Sequence, residues 1–283
     1  MKKTILTLLL GVGMALGAHA QLLYKISGDS IAKPSYIFAT NAMMNPLGIV
    51  DNVAGLKEAL TQTEQMYFDA NKEAYRDVIN DAKKLDGGKK LTNLLTPVQT
   101  KLLDAFLKKY MEVGLSSPYV QKKYGNLTPA AVLEELEQLL FVANHMGEYD
   151  PTNSFDQYFE AQAKANSDPV YGLVEADHYI KCRYQAPMEK QVEALMGFLE
   201  NQEAALAKMN KVAAGFKAQD MDAVAAAVGS DACAHRNAKW AEKISQVSSQ
   251  KPTFYVVDAI ALGGPDGLLQ LLQKAGYAVE GVR

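Results

Sequence analysis

Three stretches of this chain end in residues fit for chemistry, each where an apolar run stops. They are Phe38-Ala39-Thr40-Asn41-Ala42, Phe68-Asp69-Ala70 and Val257-Asp258-Ala259-Ile260-Ala261. Open α/β folds place their sites at such strand ends, where the chain turns into a helix. Asp69 and Asp258 are then two strand-end carboxylates, and with Asn41 and Glu175 they form an all-oxygen candidate set for a hard cation such as magnesium or calcium. Two carboxylates side by side need a cation or a shared proton. The competing and preferred reading is structural: Asp69 caps a helix and Asp258 pairs with Arg236. Arg236-Asn237 is a second candidate. An arginine can hold an anionic group through two parallel hydrogen bonds, or it can neutralise a buried acid such as Asp69, Glu175 or Asp258. The structural role is again preferred.

The remaining polar residues offer less. Glu175 and His178 have the E-x-x-H spacing that puts both on one side of a helix, but a dinuclear carboxylate centre needs that motif twice. It occurs once here, so a strand-end Glu and an exposed His are expected. His145 and His235 read as polar cap or surface residues. Ser35 and Ser154 lack a nucleophile elbow. Cys182 and Cys233 lack C-x-x-C spacing, so thiol redox catalysis has no support. Trp240 reads as core. The catalytic residues are therefore unknown, and no metal-ligand spacing is present.

The elements that must position these residues alternate in type. LLYKISGDS and PSYIFAT read as a hairpin of two strands. Residues 51–62 read as a helix and QMYFDA as a short buried strand. Residues 71–150 read as helical throughout, with a clean start at Thr96-Pro97-Val98-Gln99, where a Thr cap, a Pro and a Gln three residues on coincide. A second start stands at Thr128-Pro129. Leu133, Leu136, Leu140 and Ala143 recur at helical spacing, with Glu134, Glu135 and Glu137 outward. Residues 155–166 are a further helix and VYGLVEA a strand. Residues 187–228 are helical again, with Met188, Val192, Leu195 and Leu199 as a packing seam. Then come a helix over 231–247, the strand TFYVVDAIA, a helix over 264–275 and the closing strand YAVEGV. Strands near both ends with helices between predict an α/β fold: a mixed central sheet with flanking helices and a large helical insertion.

The first twenty residues, MKKTILTLLLGVGMALGAHA, read as a signal peptide. Lys2 and Lys3 begin it, an apolar run follows, and Ala18-His19-Ala20 offers the cleavage pattern. The apolar run is short for a membrane span, and no Cys follows it for lipidation. A periplasmic or secreted chain is expected, starting at Gln21, with no transmembrane segment after cleavage. Loss of Lys2 and Lys3 takes the formal charge from −3 to −5. A mildly acidic chain without a basic block argues against nucleic acid as partner. In an oxidising compartment the two cysteines permit a Cys182–Cys233 disulfide; two free thiols are the alternative. No internal repeat and no long linker divides residues 21–283, so a single domain is expected, with 71–150 and 187–228 as mainly helical insertions.

Taken together and in order, the motifs resemble the TraB/GumN family (the Tiki-like proteins). Pro34-Ser35-Tyr36-Ile37-Phe38-Ala39-Thr40-Asn41-Ala42 is similar to the family's P-S-Y-L-F-G-T-x-H. Val257-Asp258-Ala259-Ile260-Ala261-Leu262-Gly263-Gly264-Pro265-Asp266-Gly267 is similar to V-G-A-x-H-L-x-G-x-x-G, and Gly276-Tyr277-Ala278-Val279 follows as the family's G-Y-x-V. Arg236-Asn237-Ala238-Lys239-Trp240 matches the late R-N helix. Phe155-Asp156-Gln157-Tyr158-Phe159, then Leu173-Val174-Glu175, resemble the family's D-x-x-L/F helix and the strand ending in L-E. The resemblance spans about Leu22 to Val282. It implies a fold of the erythromycin-esterase and haem-uptake type and, in the Tiki branch, metal-dependent peptide hydrolysis at a centre built by the two motif histidines and a carboxylate. Here Ala42 and Ala261 stand at the two histidine positions, Ala39 and Asp258 at the two glycines, and Asp69 where Glu is usual. A methyl cannot ligate a metal, and even loss of an outer-shell partner costs roughly ten- to a hundredfold. The expectation is a degenerate member: a pseudoenzyme with no cofactor and no family metal, binding an unknown protein, peptide or small molecule. The alternative is a divergent metal-dependent peptidase using Asp69, Glu175, Arg236 and Asp258 in place of the histidines.

Overall fold

The structure is a computed structural model that describes residues 21–147, 153–229 and 235–283. The signal-peptide segment and Cys233 lie outside the described residues. Six strands form one mixed sheet in the order β4-β3-β5-β2-β1-β6. The hairpin is β1 (Leu23–Ser27) and β2 (Ser35–Thr40), antiparallel, with Leu23 opposite Phe38. From β2 the sheet continues in parallel through β5 (Phe254–Asp258), β3 (Met66–Ala70) and β4 (Val170–Val174). On the other side β6 (Ala278–Gly281) pairs antiparallel with β1. Every residue of β2 is buried, as expected of a central strand covered on both faces. Ser35, fully buried, ties the two central strands: its Oγ accepts from the Thr253 N–H at 3.0 Å.

Twelve α-helices are described. α1 (Leu56–Gln62) and α2 (Arg76–Ala82) flank β3. α3 (Pro97–Met111), α4 (Pro118–Tyr124) and α5 (Pro129–Asn144) follow. α6 (Phe155–Asn166) and α7 (Ala176–Tyr184) bracket β4. α8 (Met188–Glu200), α9 (Gln202–Lys217), α10 (Met221–Val228) and α11 (Arg236–Ser248) precede β5, and α12 (Leu268–Lys274) precedes β6. Among the described residues, no helix is long and apolar enough to cross a membrane.

Several boundaries differ from the sequence reading. The helix expected over 51–62 is a 3-10 turn at Val50–Asn52 and then α1, because Gly55 takes φ +71° between them. Residues 71–150 are not helical throughout: Gly87 and Gly88, at φ +65° and +69°, break the chain between α2 and α3. α12 starts at Leu268, after a Gly263-Gly264 turn in which Gly264 takes φ +80° and a Cβ on Gly263 would collide with the Met221 carbonyl. Asp258 ends β5 by capping the 3-10 turn Ala259–Ala261, so the expected strand is shorter.

A second hydrophobic cluster lies among the helices. Leu103, Phe106, Leu136, Leu140, Leu195 and Leu199 join α3, α5 and α8 there. Phe216 and Val224, from α9 and α10, instead pack against the sheet. The helix that matters most for the site is α6. Ser154 and Gln157 close a capping box at its start, and the rings of Phe155 and Phe159 pack at a tilt against Phe38 of β2 with centroids at 6.0 and 4.8 Å. Each fully buried Phe is worth about 1.5–3 kcal/mol. That anchorage holds the polar first turn of α6 over the end of β2.

Candidate functional site at the strand ends

The parallel strands β2, β3 and β5 end together, and a cleft of about 290 Å³ opens above them, lined by Thr40, Asn41, Ala42, Asp69, Lys72 and Asp258 from the strand ends and their loops. α6 contributes Asp156, α5 contributes Glu134, and α7 contributes Tyr179 and Arg183. A smaller cavity of about 150 Å³ adjoins it; Asp69, Tyr179, Arg183 and Asp258 line both, and His178, Arg236 and Trp240 line only the smaller one.

Asp69 does not cap a helix. Its Oδ1 accepts from the neighbouring Ala70 N–H at 2.8 Å and lies 3.6 Å from Lys72 Nζ. Lys72 also reaches Asp156 of α6 at 2.6 Å, so one ammonium bridges β3 to α6. Burial pulls the Lys72 pKa down, but Asp69 and Asp156 outweigh that and leave it raised. The capping role belongs to Asp258, whose Oδ1 accepts from the Ile260 N–H at 3.2 Å. Burial pushes the Asp258 carboxyl up; the Ile260 N–H and the Arg183 charge pull against that without cancelling it. Arg236, the partner expected for Asp258, stacks on the Trp240 ring at 4.9 Å. The arginine acting most strongly on Asp258 is Arg183.

Of the oxygen set read from sequence, the structure gathers three members. Asn41, Asp69 and Asp258 share the cleft, and Glu175 does not line it. Glu175 is exposed at the N-terminus of α7 and accepts from the Tyr75 hydroxyl at 2.5 Å. Asn41 uses its Oδ1 on the Met43 N–H at 2.9 Å. Asn237 is buried and serves the scaffold: its Nδ2 donates to the carbonyls of Ala261 at 3.3 Å and Asp266 at 3.0 Å, holding the C-terminal turn. Cys182 of α7 is disulfide-bonded; Cys233 lies outside the described residues.

Two further expectations are corrected. His178 is not exposed: it is half-buried, with its ring 5.7 Å from that of His235. Burial lowers its pKa, and Lys239, His235, Arg236 and Lys181 lower it further. Nor do the glutamates of α5 simply face water. Glu134 accepts from Tyr184 Oη at 2.6 Å and sits 3.4 Å from Lys83 at the cleft wall. Glu135 pairs with Lys123 at 2.9 Å. The Glu137 carboxyl is pushed up to about 7 by burial, with Glu134 adding repulsion.

Sequence reasoning missed Lys72, Asp156, Tyr179 and Arg183. Lys72 stands three residues after Asp69, and Tyr179 and Arg183 are spaced i,i+4 on one helix, so both pairs carried a local signal. Asp156 stood in the D-x-x-L/F match, but nothing local pointed to Lys72, which it meets across 84 residues of chain.

The two alanines at the motif positions face different surroundings. Ala42 is exposed and lines the cleft. Ala261 is fully buried in the sheet core and lines neither cavity. Ala39 is likewise fully buried. A metal site needs converging electron-pair donors with an open position. Here one motif position offers an exposed methyl, the other an enclosed one, Asp69 is engaged by Lys72, and no group of three His, Cys, Asp or Glu among the described residues converges to hold an ion. The residues present do not fit a histidine-built metal centre.

The family model of the TraB/PrgY/gumN family matches residues 22–281. The chain belongs to the TraB/PrgY/gumN family. Neither the comparison with curated proteins nor that with solved structures returned a match.

Proposed function

From membership of that family as premise, we propose that the chain is an exported, catalytically degenerate member that binds a ligand in the strand-end cleft without metal-dependent hydrolysis. The observation that carries this reading is the state of Asp69. It is a strand-end carboxylate of the cleft, and its Oδ1 is shared by the Ala70 N–H and the Lys72 ammonium. An ammonium 3.6 Å away occupies the electrostatic place of a cation, and a divalent ion brought there would meet Lys72 and Arg183 as repelling charges. Export rests on Met1 to Ala20 as a cleavable leader.

The cleft is suited to binding. It is concave, it mixes charges of both signs, and its walls come from rigid strands and docked helices. One observation favours a second reading. Asp69 and Asp258 line the same two cavities, burial raises the pKa of the Asp258 carboxyl, and two carboxyls in one cleft are the parts of an acid/base pair. A divergent hydrolase would use that pair. Metal analysis of the purified mature protein, with mass-spectrometric analysis of a peptide mixture incubated with it, separates the readings. Absence of bound zinc and manganese and intact peptides are expected. Stoichiometric metal, or turnover, abolished in Asp258→Ala would overturn the binding-protein reading.

A further inference from the structure

Two side-chain nitrogens of residues that line the smaller cavity have no hydrogen-bond partner among the described residues. Trp240 is 2% exposed, and its Nε1 has no hydrogen-bond partner. His178 Nε2 is also buried without a partner. A buried donor left unmet costs about 1–3 kcal/mol, and the two residues line one cavity of about 150 Å³. An indole N–H can only donate, and a neutral imidazole donates from one nitrogen. The lysines and arginine acting on His178 are cations: Lys239, Arg236 and Lys181. This corner is therefore built to receive electron pairs.

Arg183 completes it. Its side chain is exposed, it lines both cavities, and its guanidinium lies over the Tyr179 ring at 4.8 Å. A guanidinium offers a fork of N–H donors matched to a carboxylate. Asp69, Glu134 and Asp258 act on it through space, yet among the described residues none makes an ion pair with it. Arg236 lines the same cavity.

We propose that the smaller cavity binds the carboxylate of a small organic acid, with Arg183 as its bidentate anchor and the Trp240 and His178 nitrogens as flanking donors. The body of the ligand extends into the larger cleft, which Arg183 also lines. This rests on the reading of the cleft as a binding site. Asp69 and Asp258 select against more highly charged anions: a phosphate dianion would set twice the charge against the same two acids.

The test uses Trp240, the sole tryptophan of the chain. The mature protein is titrated with acetate, glutarate and inorganic phosphate at matched ionic strength while Trp240 emission is recorded. A saturable change with the carboxylates, and a weaker one with phosphate, is expected. Arg183→Gln should weaken carboxylate binding roughly ten- to a hundredfold, the worth of a charged hydrogen-bonded anchor. Arg183→Lys keeps the charge without the fork and should fall between; it stands in should the Gln variant lose its native circular dichroism. No saturable response to either carboxylate, phosphate binding as tightly, or affinity unchanged in the folded Arg183 variants would overturn the proposal. The metal and turnover measurements judge the binding-protein reading separately. A chain that neither turns over peptides nor binds carboxylates would overturn only this inference.

Discussion

Placing histidine at positions 42 and 261 tests whether the cleft is a metal site that has merely lost its ligands. Ala42 is exposed at the cleft wall. A surface substitution of that kind falls within about 0.5 kcal/mol of neutral. Ala261 is fully buried against the sheet core, and its carbonyl is held by Asn237. An imidazole there overpacks the core at about 1–3 kcal/mol and leaves ring nitrogens without partners at about 1–3 kcal/mol more. Ala261→His should therefore lose about 2–6 kcal/mol, a large share of the 5–15 kcal/mol typical of a folded domain. Urea unfolding of each single variant reads these values, and metal analysis of the double variant reads the site. Ala42→His should unfold with wild type, Ala261→His much earlier, and the double variant should take up no stoichiometric zinc. An Ala261→His chain as stable as wild type, or a stable double variant carrying one zinc per chain, would refute the burial argument and return position 261 to the cleft.

Two further outcomes follow from the charges around the site. The folded pKa of Glu137, about 7, lies above its unfolded value. Its neutral form therefore favours the fold at low pH, and that contribution is lost as pH rises from the unfolded value through about 7. Glu137→Gln should match wild type in unfolding free energy near pH 4 and exceed it above pH 8 by on the order of 3 kcal/mol, from 1.36 kcal/mol per unit; parallel pH curves would count against it. Lys72→Met removes the ammonium shared by Asp69 and Asp156. Loss of one partner of a buried pair costs about 3–5 kcal/mol; with the Lys72 side chain 39% exposed, a loss of about 1–3 kcal/mol in urea unfolding is expected. Adding Asp156→Asn should recover part of it, and strict additivity in that double-mutant cycle would deny the bridge.

What could be read from sequence was whatever a local rule decides. The capping box at Thr96 and Gln99 appears as expected, with the Thr96 N–H donating to Gln99 Oε1 at 2.9 Å. α6 runs over the expected residues, and the hairpin pairs as its alternation predicted. The breaks at Gly55 and at Gly87-Gly88 depend on a left-handed φ, which a glycine permits but does not require. The site was harder to read, because its charges are paired by topology. Asp69 and Asp258 were visible as strand ends, but which cation each would meet depends on how α6 and α7 dock. The answer is Lys72 with Asp156 for one and Arg183 for the other; no motif marked Lys72 or Arg183, and the D-x-x-L/F match marked Asp156 without giving its partner.

Asp258 shows why motif spacing alone could not describe the site. Compared with the family pattern it reads as a glycine replaced, one residue change among several. In the fold its carboxylate accepts the Ile260 N–H and caps the turn that follows. That turn carries Ala261 beneath the cleft floor, where Asn237 fixes its carbonyl. The same turn leaves Asp258 and Ile260 lining the smaller cavity. Spacing preserves the order of residues along the strand end, but the direction of each side chain is set by the cap. A turn held from both sides, by Asp258 at its start and by Asn237 at Ala261, presents a carboxylate to the cleft and a methyl to the core. Position 261 in this geometry faces the core and not the cleft, so the order of residues along the strand end does not by itself place a ligand there.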